Sequence, residues 1–155
     1  DDAEAFDWSR RGVFATLAGD AVDAELALAT AVELDPEHAG NWVVLGNSFE
    51  KIDHIEEAQN AYEKALKLDS KIIEAWLDYA NLLFETDQAD KAIDLIIEGI
   101  RECKEAKDVL EYRLVAFLFK NGQNIEALSR LEDVLQINFG GHKELLEYYE
   151  SKIKK

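Results

Sequence analysis

Tryptophan occurs three times, at positions 8, 42 and 76, and both intervals are thirty-four residues. Around the middle one a fuller pattern is visible: Trp42, Leu45, Gly46 and Phe49, followed by Ala58, Tyr62 and Ala65. Large and small apolar residues at a fixed long period mark a helical repeat array. Each repeat is one supersecondary unit that cannot bury its apolar face alone, and stacked neighbours bury it. Gly46 and Ala58 are small, which predicts that two antiparallel helices approach closely with these residues facing each other. Trp42, Leu45, Phe49 and Tyr62 fill the space around that contact, with Phe49 and Tyr62 as an aromatic pair. Ala65 is small where the first helix of the next repeat presses against it.

The Trp-x-x-Leu-Gly-x-x-aromatic core, with its Ala58, Tyr62 and Ala65, resembles the tetratricopeptide repeat (TPR). The resemblance implies an all-α fold, a right-handed superhelical α-solenoid of antiparallel helix pairs, as a single domain over residues 1–155. Four repeats are expected, over 5–38, 39–72, 73–107 and 108–141, with a capping helix over 142–155. The first repeat carries Trp8, Gly12, Ala24, Leu28 and Ala31, but has Arg11 where leucine is usual and Ala15 where an aromatic is usual. The third keeps Trp76, Ala80, Leu83 and Ala92, with Gly99 in place of an alanine and a second helix expected over 89–104. The fourth lacks the tryptophan, and one extra residue near Ala106 precedes it. Leu114, Val115, Leu118, Ala127, Leu131 and Val134 still hold the spacing.

Local signals agree with this division. Gly19-Asp20 reads as a turn, with Asp20 as N-cap of the next helix. Asp53 sits at the second turn, with Glu56 completing a loose capping box, and Asn121-Gly122 marks the fourth. Asp35-Pro36 ends a helix, because proline disfavours helical geometry in the residue before it. Phe139-Gly140-Gly141 is a break. Beyond it, Leu145, Leu146, Tyr149 and Ile153 share one face at helical spacing.

Charge narrows the partner. The formal net charge is −16. Such a surface repels phosphate backbones and anionic membranes, so nucleic acid is excluded as a partner. No apolar run is long enough for membrane insertion. A protein or extended peptide segment carrying basic residues is the electrostatic complement. Residues 1–50 contain no lysine and take their positive charge from Arg10 and Arg11. Cys103 is the single cysteine, so no disulfide closes within the chain and no cysteine-based zinc site forms. The chain contains no methionine. It therefore reads as a piece of a longer or processed protein, with a cytoplasmic setting favoured and an upstream leader or further repeats allowed.

The resemblance also implies where a partner sits. The first helices of successive repeats are expected to line a concave groove, with Val43, Asn47, Leu77, Asn81, Phe84, Tyr112, Arg113 and Phe119 among its peptide-binding residues. Asn47 and Asn81 occupy equivalent places in adjacent repeats. A primary amide both donates and accepts, so the pair suits a peptide backbone whatever its side chains. Neither amide is expected to serve the helix–helix core. Some TPR domains hold the C-terminal carboxylate of heat-shock chaperones in a clamp of lysine, asparagine and arginine. Asn47 and Arg113 match that clamp. Val43 and Val109 replace its lysines, and Asp78 replaces an asparagine with a group that repels a carboxylate, so a chaperone carboxylate clamp is not expected.

No catalytic constellation is present. His38, His54 and His142 sit far apart at helix junctions without metal-ligand spacing, and no nucleophile lies near a candidate base. No cofactor is implied. The expected function is a non-enzymatic adaptor or scaffold module that binds a protein or peptide in the groove. The alternative is a structural spacer or self-association module within a larger protein.

Overall fold

The computed structural model describes residues 2–135. The expected break at 139–141 and the expected capping helix over 142–155 lie outside the described residues. Eight α-helices follow one another among the described residues: α1 (Asp2–Ala18), α2 (Ala21–Leu34), α3 (Ala39–Lys51), α4 (Ile55–Leu68), α5 (Ile73–Glu85), α6 (Ala89–Glu102), α7 (Lys107–Lys120) and α8 (Asn124–Leu135). α2, α4 and α6 are each 14 residues long, so the third repeat's second helix stops before the residue 104 expected for it. α7 runs to 14 residues against 13 in α3 and α5. A short 3-10 turn over Lys104–Ala106 precedes α7, where the extra residue was expected.

The same hydrogen-bonded turn joins the two helices of each repeat. The amides of Asp20, His54, Gln88 and Gln123 bond back five residues, to the carbonyls of Ala15, Phe49, Leu83 and Leu118. In each turn the preceding residue has positive φ: Gly19 at 79°, Asp53 at 63°, Asp87 at 59° and Gly122 at 78°. This is the Schellman ending, which satisfies the last carbonyls of the first helix and turns the chain sharply. Asp20 caps α2 as expected, accepting from the Asp23 amide at 3.1 Å. At the second turn the structure differs from the sequence expectation. Asp53 is the left-handed residue that ends α3, and His54 is the N-cap of α4, without a side-chain cap bond.

The contacts group into two compact units, Asp1–Leu82 and Leu83–Lys155. In the first, α1 packs on α2, α2 on α3, and α3 on α4. Its core joins Leu28, Val32 and Leu45, with Trp42, Val44 and Phe49 packed against them. Gly46 is tight, and the atoms nearest to it belong to Tyr62: a Cβ there would fall 2.7 Å from the ring's Cε1. Tyr62 stacks on Tyr79, with centroids 5.9 Å apart, whereas Phe49 stacks on His54 at 6.2 Å. The aromatic pairing thus differs from the Phe49–Tyr62 pair expected. The indole N–H groups of Trp42 and Trp76 donate to the carbonyls of Pro36 and Ser70, at 2.8 and 3.0 Å, and so fasten each helix to the loop before it.

In the second unit α6 packs on α7, and α7 on α8. Phe84 stacks on Phe117 with centroids 4.5 Å apart, and Leu110, Leu114 and Leu118 are fully buried. Counting thirty-five residues from Trp76 puts Glu111 at the tryptophan place of the last repeat. This carboxylate is buried and pairs with the Arg130 guanidinium of α8 at 3.3 Å. At the tryptophan place the fourth repeat thus carries an ion pair that links its two helices. Among the described residues no helix is long and apolar enough to cross a membrane.

Candidate functional site

Four-residue spacing along a helix repeats one face, so Val13 and Leu17 of α1 look the same way, as do Asn47 and Lys51 of α3. In the first unit these faces converge on a concave recess of about 380 Å³. α1 gives Val13, Thr16 and Leu17; α3 gives Val44, Asn47, Glu50 and Lys51; α5 gives Asp78 and Asn81. The recess therefore brings Asn47 and Asn81 together. Its ionic groups are the carboxylates of Glu50 and Asp78 and the ammonium of Lys51, so it is net negative. Lys51 donates to the Thr16 carbonyl at 3.3 Å. Beside this recess is a second of about 380 Å³, which shares Thr16, Leu17 and Lys51 with it. The lysine arm thus lies along the border of the two.

Two residues expected on the concave wall are not among those lining the recess. Val43 is buried at 6 % exposure, and Val44 lines the cavity instead. Leu77 is half-buried, and Asp78 takes the corresponding place one residue on. The offset is the same in both repeats. The remaining expected residues belong to the second unit. There Tyr112 and Phe119 are exposed. Phe84 is half-buried, with the Lys120 ammonium 5.7 Å from its ring centroid. Arg113 holds its guanidinium 5.9 Å from the ring centroid of Phe117.

The contact that the sequence did not announce lies beneath the first recess. Tyr62 is fully buried, and its hydroxyl hydrogen-bonds both Asn47 Oδ1 and, at 3.0 Å, Glu50 Oε2. Burial, and then the nearby Glu50 carboxylate, hold the phenol well above its ordinary pKa, so it stays a neutral donor. Tyr79 is similarly raised by burial and by its bond to Glu63 at 2.9 Å. One of the two expected peptide-binding amides is thus already engaged with the core. Asn81 stands on the same face with Ile96 at the place corresponding to Tyr62.

Among the described residues no group of three or more histidine, cysteine, aspartate or glutamate side chains is arranged to hold a metal ion. Cys103 is buried at the end of α6.

Comparison with known proteins places this geometry. Residues 53–102 match the tetratricopeptide repeat family model. No curated protein sequence matches the chain. Among solved structures, one of MamA superposes with a TM-score of 0.73 at 21% identity, covering 100% of this chain and 84% of that one. The TPR2B domain of yeast Sti1, solved in complex with pHsp70, gives 0.69 at 15% identity over 78% of this chain and 98% of that one. PilF of Pseudomonas aeruginosa gives 0.72 at 21% identity over 88% of this chain and 62% of that one. Residues 53–102 thus match the tetratricopeptide repeat family, whose members generally mediate protein–protein interaction, and the chain around them has the all-helical fold of tetratricopeptide-repeat proteins.

Proposed function

We propose that this chain is a non-enzymatic adaptor module, and that the recess of the first unit holds an extended segment of a partner protein. The observation that carries this reading is the meeting of Asn47 and Asn81 in one concavity whose walls include the apolar Val13, Leu17 and Val44. The volume falls in the range of ordinary ligand sites, and a side chain or two of a peptide would fill it. Glu50 and Asp78 outnumber Lys51, and the chain as a whole is acidic. The segment that suits the recess has an apolar anchor beside a lysine or arginine. A carboxylate-clamp ligand does not suit it, because Asp78 repels an anionic terminus. On the second unit, Tyr112 and Phe119 are proposed as partner contacts in their own right, being exposed aromatics flanked by Arg113 and Lys120.

Calorimetric titration tests the reading, using a set of short synthetic peptides with one leucine or phenylalanine flanked by lysines. Wild type is expected to bind members of the set, with affinity falling as salt screens the ionic part. Leu17→Asp and Asn81→Ala should each weaken binding and leave the helical circular dichroism unchanged. Equal affinity in all three proteins would move the partner off this surface.

One observation favours the alternative of a self-association or spacer module. Phe14 is 63% exposed on α1, at the place where later repeats bury Ser48, Leu82 and Phe117. Val22 and Leu26 of α2 are exposed as well. Apolar surface of this kind is a frequent interaction site. Sedimentation of wild type and of Phe14→Ser/Leu26→Asn distinguishes the two readings. A monomer in both leaves the peptide-binding reading standing, and an oligomer that dissociates in the variant supports the alternative.

A further inference from the structure

We propose that the second recess, between the ends of α1 and α3, takes an aromatic side chain of the bound segment, with the Lys51 ammonium over the face of its ring. This inference rests on the peptide-binding reading given above and adds the chemistry of the anchor to it.

By the repeat period, Thr16 of α1 with Ser48 and Lys51 of α3 corresponds to Glu50 of α3 with Leu82 and Glu85 of α5, and to Phe84 of α5 with Phe117 and Lys120 of α7. Lysine and rings occur together in the last set and are both missing from the middle one. In the last set Phe84 stacks on Phe117 with centroids 4.5 Å apart, and the Lys120 ammonium stands 5.7 Å from the ring centroid of Phe84. The first set has the lysine without the rings.

What stands in their place is a pair of hydroxyls. Thr16 donates to the Gly12 carbonyl at 2.8 Å, and its oxygen lies 2.7 Å from that of Ser48. A hydroxyl has one proton, so Ser48 gives its own to Thr16, and both protons are spent inside the wall. Two short side chains fill less space than two rings. Beside them opens the recess of about 380 Å³, lined also by Leu17, Ala18, Ala21 and Ile52. Lys51, whose counterpart covers a ring, reaches instead to the Thr16 carbonyl at 3.3 Å. That separation is longer than the usual N–H···O range, and Lys51 is exposed, so its arm leaves the carbonyl at little cost. A ring in this recess meets apolar walls and an ammonium within reach of its face. An ammonium is drawn to the negative face of an aromatic ring and gains nothing of the kind from an aliphatic side chain. The lysine therefore selects phenylalanine, tyrosine or tryptophan over leucine. The two recesses share Thr16, Leu17 and Lys51, so neighbouring residues of one segment can reach both.

The test uses two synthetic peptides that differ only in the anchor, phenylalanine or its saturated analogue cyclohexylalanine, each flanked by lysines. The analogue keeps the bulk of the ring and lacks its π face. By calorimetric titration wild type should bind the phenylalanine peptide about two- to fivefold more tightly, the scale of one cation–π contact. Lys51→Met keeps an unbranched arm without the ammonium and should bring that ratio to one or below. The ratio is the readout, because loss of a positive charge strengthens a basic peptide of either kind. By NMR the bound phenylalanine ring should shift the methyl resonances of Ala21 and Ile52, which line the second recess only, away from their positions with the cyclohexylalanine peptide. Those of Val13 and Val44, which line the first recess only, should respond alike to both peptides. The inference fails, and the first recess remains the binding site, under any of three results obtained while Asn81→Ala still weakens binding. These are no preference for phenylalanine in wild type, a preference that survives in Lys51→Met, and a ring shift seen at Val13 and Val44 instead. If neither peptide binds, or if wild type, Leu17→Asp and Asn81→Ala bind equally, the recess reading falls and takes the inference with it.

Discussion

A methyl group on Gly46 would land 2.7 Å from Cε1 and 3.0 Å from Cζ of Tyr62. A buried phenol ring hydrogen-bonded at its far end has little freedom to withdraw. Gly46→Ala is therefore expected to lower stability by about 1–3 kcal/mol, and Gly46→Leu by more, read from the midpoint of urea denaturation. The small residue itself was legible in the sequence. Its neighbour was not, because spacing places two residues on facing helices without saying which side chain spans the gap. The asparagines show the same limit. Asn47 and Asn81 are equivalent by spacing, and both were expected to be dispensable to the fold. The Tyr62 contact separates them. Asn47→Ala should cost about 1 kcal/mol of stability through the lost bond, and Asn81→Ala should leave the unfolding curve in place. A signal for this was present: a tyrosine in a column otherwise filled by leucine and isoleucine implies a partner for its oxygen.

At the scale of helices and turns, the boundaries followed from the period, and the facing of side chains followed less completely. Val43 and Leu77 were assigned to the groove, yet Val44 and Asp78 line it. One residue is a rotation of about 100° around a helix, so adjacent positions present their side chains in different directions. The offset is the same in two repeats, as expected when the helices share one orientation. Turn chemistry was partly legible. Gly19 and Gly122 announce left-handed backbone, whereas Asp53 and Asp87 adopt it without glycine. Aspartate tolerates that region but does not favour it. Asp53→Gly and Asp87→Gly should each raise stability by up to about 1 kcal/mol, and Gly122→Ala should lower it by a similar amount. Denaturant midpoints at constant slope check both. Glu111 and Arg130 illustrate a further limit: absence of the fourth tryptophan was visible, but nothing in the period foretold an ion pair in its place.

For the molecule as a whole, two buried tyrosines set an alkaline limit. Both phenols have folded-state pKa values above the ordinary value of 10.0. Above that pH the unfolded chain loses protons that the folded chain retains, so the contribution of these two phenols to stability is constant below about pH 10 and falls as pH rises further. Tyrosinate absorbance from Tyr62 and Tyr79 should appear together with the loss of helical circular dichroism, and not before it. In Tyr62→Phe/Tyr79→Phe the fraction of the tyrosinate signal that appears with unfolding should shrink. The repeat period has an optical consequence as well. Trp76 is almost fully buried and donates to Ser70, Trp42 is half-buried and donates to Pro36, and Trp8 lies under the Arg11 guanidinium at 5.1 Å. Each of the first three repeats thus carries one fluorophore in its own surroundings, and the fourth carries none. Three variants that each keep a single tryptophan should emit at different wavelengths, bluest for Trp76. Their separate melting curves would give each of these repeats its own colour-coded thermometer.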